Sequence, residues 1–169
     1  MKDTRLQARL RRFGLSLAMV TAGLASVGCP AAPTPPPDGD ADVIFPENYR
    51  TAFTLVRDCR NSVEHEAQIR VYVNAVGAAD YLADAATLPE GTMVVKEEFA
   101  PGGGCDDADL EFWSAMRKEA AGFDEAASDW RFQEVSAPVR AITTDDNATC
   151  LECHFDPACL VRDLMCTAP

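Results

Sequence analysis

The sequence predicts an α+β fold, and three observations carry that prediction. In "QIRVYVN" (Gln68 to Asn74), Ile69, Val71 and Val73 alternate with Arg70, Tyr72 and Asn74, a period-two pattern of β-branched and aromatic residues that reads as a strand. Helical pieces fall between such runs, at Ala75 to Ala86 and at Asp107 to Ala121. The chain then closes in a cysteine-rich segment built around Cys150-Leu-Glu-Cys153-His154.

Residues 1–29 read as an export signal. Lys2, Arg5, Arg9, Arg11 and Arg12 precede an uncharged, mostly apolar run from Phe13 to Gly28, which is the layout of a secretory leader. That run is shorter than the roughly 20 residues a membrane span needs, and it stops at small residues before Cys29. The stretch Leu24-Ala-Ser-Val-Gly28-Cys29 resembles the lipobox of bacterial lipoproteins, whose cysteine is acylated and becomes the new N-terminus. Ser26 stands where leucine is usual, so soluble secretion after ordinary cleavage stays open. The expectation is an exported, periplasmic chain held at the membrane by a lipid on Cys29. Residues 30–43 are rich in proline and aspartate and read as an extended tether. Asp38, Asp40 and Asp42 have the spacing that opens a calcium loop, but Val43 and Tyr49 stand where its glycine and glutamate would be.

Residues 44–169 suit one compact domain. After the strand at Ile69 to Asn74 and the helical piece at Ala75 to Ala86, "EGTMVVKEEF" starts at a turn-favouring Glu90-Gly91 and carries Thr92, Val94 and Val95 as a second strand. The loop "APGGGCDD" leads to the second helical piece, in which Leu110, Trp113 and Met116-Arg117 recur at helical spacing. "DWRFQEV", Asp129 to Val135, reads as a third strand.

Charge and cysteine usage narrow the function classes. The chain has 15 basic and 27 acidic residues; the leader holds five and one of these, so the remainder of the chain is strongly acidic. Nucleic acid is excluded as an expected partner, because affinity for phosphates needs basic residues. The acidic surface fits a soluble exported protein, or one that docks a basic redox partner. Export puts the seven cysteines in an oxidising compartment. With Cys29 lipidated and Cys150 and Cys153 set aside, Cys59, Cys105, Cys159 and Cys166 remain, and four cysteines allow three connectivities. Cys159 to Cys166 is a natural local staple at that separation, leaving Cys59 to Cys105.

The pattern Cys150-x-x-Cys153-His154 matches c-type haem attachment. Thiols three residues apart on one helical turn reach two haem vinyl groups as thioethers, and the adjacent histidine turns a ring nitrogen to the iron. A zinc site would take the same three residues with Cys159 or Cys166 as fourth ligand, and a disulfide knot is the remaining alternative; an oxidising compartment argues against thiolate zinc. With 15 residues after His154, Met165 follows too closely to serve as sixth ligand, so the iron is expected to be five-coordinate and open to a small ligand.

The order "FPENYR" (Phe45 to Arg50), "IRVYVN" (Ile69 to Asn74), "LPEGTMVVKE" (Leu88 to Glu97), a tryptophan-bearing segment, "SDWRF" (Ser128 to Phe132) and the terminal Cys-x-x-Cys-His resembles the cytochrome P-460 family and its relative cytochrome c′-beta. The resemblance implies a mainly antiparallel β-sheet with flanking helices and a C-terminal haem-attachment segment, usually in a homodimer, with one covalently bound haem c. It assigns His154 as proximal ligand, and Cys150 and Cys153 as thioether cysteines. Lys96 matches a lysine bonded to the haem edge in some members, and Arg70 an arginine lining the distal pocket. Asp145 falls where hydroxylamine-oxidising members carry a distal carboxylate, with Asp146 as substitute. The implied activity is binding, and in the enzymatic members oxidation, of hydroxylamine or a related small nitrogen species; the c′-beta alternative is non-catalytic nitric oxide binding or electron transfer.

Each assignment has a plainer counterpart. Lys96 reads equally as a strand lysine facing water, and Arg70 as a partner for one of many carboxylates. Asp145 and Asp146 precede a helix, where acidic residues cap. His65 reads as a structural or surface histidine, with a distal ligand role as its alternative, and Phe53, Phe99, Trp113, Trp130 and Phe132 read as core.

Overall fold

The structure, a computed structural model, describes residues 43–62, 65–137 and 140–166. The expected leader, Cys29 and all of the tether but Val43 lie outside the described residues. The chain forms a six-stranded antiparallel meander in sequence order: β1 (Thr54–Ser62), β2 (Ala67–Val73), β3 (Met93–Phe99), β4 (Leu110–Lys118), β5 (Trp130–Ser136) and β6 (Ile142–Thr144). Short helices flank it. α1 (Tyr49–Ala52) precedes β1, α2 (Ala78–Leu82) joins β2 to β3, and α3 (Asn147–His154) and α4 (Pro157–Leu160) follow β6. The class is α+β, as the strand patterns predict, and among the described residues no helix is long and apolar enough to cross a membrane.

Both faces of the sheet are covered. Ile69, Val71, Val73, Val94, Met116, Trp130 and Phe132 share one face and pack with Leu151 of α3 and with Leu164 and Met165 beyond α4. Tyr72, Val95, Trp113 and Val135 point the other way and pack under Tyr49 of α1, as alternation along a pleated strand requires. Phe99 and Trp130 are fully buried; burying an aromatic side chain of this kind contributes about 2–3 kcal/mol.

This two-sided burial corrects one expectation. Asp107 to Ala121 is not a helix; after one 3-10 turn at Asp107–Asp109 it is the central strand β4. Trp113 belongs to one core and Met116 to the other, so both alternating sets are apolar and the three-residue spacing of Leu110, Trp113 and Met116 imitates a helix. The piece at Ala75 to Ala86 also contracts, to α2. Its start is delayed because the Asn74 side chain accepts from the amides of Gly77 and Met93 at 3.3 and 3.1 Å, making a turn. Its end is set by Asp84 in the left-handed region at φ 56°. The predicted strands at Gln68 to Asn74, Thr92 to Val95 and Asp129 to Val135 coincide with β2, β3 and β5.

Candidate functional site

The Cys-x-x-Cys-His segment is α3 itself. Asp146 caps it, accepting from the Ala148 amide at 2.9 Å and the Thr149 hydroxyl at 3.2 Å, so the capping reading of Asp146 describes the structure. Asn147 fastens the first turn to β5: its Nδ2 donates to the Trp130 carbonyl at 2.8 Å, and its Oδ1 accepts from the Phe132 amide at 3.0 Å. Cys150 and Cys153 are therefore one helical turn apart, on neighbouring positions of one helix surface. Neither takes part in a disulfide, while Cys59 is joined to Cys105 and Cys159 to Cys166. Burial, helped by the Glu134 charge, pushes the Cys150 thiol up to about 12. That is the reverse of what a thiolate ligand needs.

His154 ends the helix with its ring set edge-on to Phe132, centroids 5.0 Å apart. Nδ1 lies 2.6 Å from the Leu164 carbonyl oxygen. A carbonyl can only accept, so Nδ1 carries the proton and Nε2 the lone pair. Burial, reinforced by the Lys96 charge, pulls the imidazole down to about 4, so it is neutral at neutral pH. This is the donor state that ligates a metal through Nε2. The donor set fits haem c: two thiols for thioether bonds and one neutral, oriented imidazole. It does not fit zinc, since Cys159 and Cys166 are bonded to each other and, among the described residues, no group of three or more His, Cys, Asp or Glu is arranged to hold a metal ion.

The sheet face beneath α3 carries a charged cluster. Lys96 is 9% exposed, so it does not face water. Its Nζ is 2.6 Å from His65 Nε2 and 3.3 Å from Glu98 Oε1, and His65 Nδ1 is 3.1 Å from Glu98 Oε2. The Ser114 hydroxyl also donates to Glu98. Burial alone would raise the Glu98 carboxyl, but the Lys96 charge and the His65 hydrogen bond outweigh it and hold the group well below the usual carboxylate range. On β5, Glu134 pairs across from Ser114 and accepts from the Thr143 hydroxyl at 2.6 Å.

Other expected site residues are not brought to this face. Arg70 alternates with Ile69 and Val71, so it lies on the opposite face. There it meets Asp58 at 3.1 Å and the fully buried Glu97 at 3.7 Å, 5.5 Å from the Phe99 ring centroid. Its partners are those of the plainer, ion-pair reading. Asp145 turns the same way, its carboxylate 3.4 Å from both Arg131 and Gln133. A cavity of about 450 Å³ between Tyr49, Arg50, Trp113 and Arg140 is also on that far face, and none of the motif residues line it. Reasoning from sequence missed Glu98 and Glu134 as neighbours of the site, and it weighed His65 mainly as a structural or surface histidine. The signal for Glu98 was its place two residues after Lys96, which puts both on one face of a strand.

Among known families, the family model described as Cytochrome P460 matches residues 46–160. No curated protein matches significantly.

Proposed function

The chain belongs to the cytochrome P460 family, and we propose that it is an exported mono-haem c-type cytochrome that binds and oxidises hydroxylamine or a related small nitrogen species. The family is one of haem cytochromes, so haem is the cofactor. In this reading Cys150 and Cys153 would hold the haem as thioethers and His154 would ligate its iron through Nε2. The observation that carries it is the union, on one helix, of two thiols at i and i+3 with a neutral imidazole whose Nδ1 is anchored and whose Nε2 holds the lone pair. When bound, the haem would supply an iron that can take a small nitrogen ligand and a path for electrons.

The protein's own part is to orient that imidazole and to take up protons. Oxidising hydroxylamine removes protons along with electrons, so an acceptor within hydrogen-bond reach accelerates it. Glu98 is a poor acceptor because Lys96 and His65 hold it ionised far below neutral pH. Asp146 is engaged in the helix cap and Asp145 by Arg131 and Gln133. We give the acceptor role to Glu134, which shares the sheet face of Lys96 and Ser114 and accepts from the neutral Thr143 hydroxyl at 2.6 Å, a donor that, unlike Arg131 at Asp145, brings no positive charge to hold the carboxylate ionised. Lys96 Nζ is engaged by His65 and Glu98, which favours an unlinked haem edge; an ordinary c-type ferrous spectrum supports this, and a strongly shifted Soret band contradicts it.

The second reading, non-catalytic nitric oxide binding of the c′-beta type, is favoured by the engagement of Glu98, Asp145 and Asp146 with other groups. Hydroxylamine turnover with an added electron acceptor separates the two. Measurable turnover supports the enzyme; none, together with tight nitric oxide binding by the ferrous protein, supports the binder. The leader and Cys29 support export to the periplasm with a lipid anchor. A redox partner protein and a homodimer complete the proposal, the dimer being tested by solution mass.

A further inference from the structure

The His154 ring is directed by its Nδ1 proton, given to the Leu164 carbonyl at 2.6 Å. Whatever fixes that carbonyl fixes the imidazole. Asp163 and Leu164 both adopt the left-handed region, at φ 55° and 66°, a conformation that residues with a β-carbon avoid. Such a turn persists when its surroundings over-determine it. Here the Asp163 carboxylate is buried, with both oxygens 2.8 Å from Lys118 Nζ. Its Oδ2 also accepts from the Leu88 amide at 2.9 Å. Lys118 Nζ in turn donates to the Ser128 carbonyl at 2.6 Å and lies 5.1 Å from the Trp130 ring centroid. With side chains 14% and 4% exposed, the ion pair ties the turn to the end of β4, to the segment before β3 and to the approach to β5.

We propose that the Lys118–Asp163 ion pair is a positioning device for His154, holding the Leu164 carbonyl on Nδ1 and thereby setting how strongly Nε2 donates to the haem iron. The proposal rests on His154 being the axial ligand. Lys118 and Asp163 act through the turn and not by touching the ring. A histidine whose second nitrogen gives its proton to a firmly held acceptor gains imidazolate character, and so becomes a stronger and better oriented donor. Slackening the acceptor weakens that donation.

The test uses the haem-loaded full chain and the variants Lys118→Met, Asp163→Asn and the double variant. The readouts are the iron–histidine stretching band of the ferrous protein and the reduction potential. A merely structural pair would change thermal stability and leave both in place. The expected result is a shift of the band to lower frequency and of the potential to higher values, with Lys118→Arg restoring both. If Lys118→Met does not accumulate folded, Asp163→Asn carries the same test, because it removes the charge pairing and keeps an acceptor for the Leu88 amide. A band and potential unchanged in folded Asp163→Asn and in the double variant overturn the positioning role. Absence of an iron–histidine band in the parent, with haem bound, overturns the ligand assignment instead.

Discussion

Lys96 Nζ lies 2.6 Å from His65 Nε2, and the same histidine gives its other ring nitrogen to Glu98 at 3.1 Å. A lysine, a histidine and a glutamate thus satisfy one another on the face of the sheet beneath α3. Lys96 is the group whose charge also depresses His154, so this cluster and the candidate ligand are electrostatically one site.

Glu98 makes the cluster sensitive to acid. Its folded-state pKa lies below the ordinary value of 4.5, so the stability it contributes is present above that value and is lost as pH falls towards the folded value. Glu98→Gln should flatten the acid limb of the stability curve below pH 4.5. At neutral pH it should cost about 3 kcal/mol, because it leaves Lys96 buried without its carboxylate. Urea titrations of both proteins across that range check this, and parallel acid limbs would count against it.

The haem-free chain should show a second acid transition, from His154. Its folded pKa of about 4 lies below the ordinary value of 6.5. Stability is therefore full above 6.5 and falls as the unfolded state alone takes up the proton, down to about 4. The loss is at most about 3 kcal/mol for a shift of this size. His154→Gln in the haem-free protein should remove this slope, and an unchanged pH profile would contradict the assigned burial of the ring.

The two disulfides should contribute unequally. Cys59–Cys105 closes a loop of 46 residues and ties edge strand β1 to the loop before β4, whereas Cys159–Cys166 spans seven. Loop-entropy arguments give about 4 kcal/mol for the long one and less for the short one. Thiol alkylation of the denatured, unreduced haem-free domain should label Cys150 and Cys153. Label on the other four would contradict the pairing.

Much of the sheet was legible because β2, β3 and β5 carry β-branched and aromatic runs bounded by turn residues. β4 was not legible, since burial on both faces erased its alternation and left Trp113 and Met116 at a helical interval. β1 escaped for the opposite reason. It is a largely exposed edge strand, "TLVRDCRNS", with register shifts against β2, so it offers little apolar pattern. At the site, the motif named its own three residues because Cys-x-x-Cys-His is a local pattern that needs no tertiary information to be read. Arg70 and Asp145 were placed by resemblance alone, and strand parity sends Arg70 to the other face. Glu134 could not be found locally, because cross-strand register brings it in, and His65, weighed mainly as a structural or surface histidine, is brought in by a loop.

Glu134 should separate enzyme from binder. If hydroxylamine is turned over, Glu134→Gln should lower the rate by about 10²-fold or more, as loss of a positioned proton acceptor does. Asp145→Asn should leave the rate nearly unchanged. Asp146→Ala should cost about 1 kcal/mol of stability through the lost cap with little effect on rate. A large loss in Asp145→Asn with none in Glu134→Gln would reverse the assignment.

The central claim, a haem bonded to the chain at Cys150 and Cys153, is tested most directly by mass spectrometry of the denatured, haem-loaded protein and its proteolytic peptides. The predicted result is a haem-sized increment that survives denaturation, maps to the peptide containing "TCLECH", and disappears in the Cys150→Ala/Cys153→Ala variant. Haem that dissociates from the parent on denaturation, or an increment that persists in that variant, would contradict it.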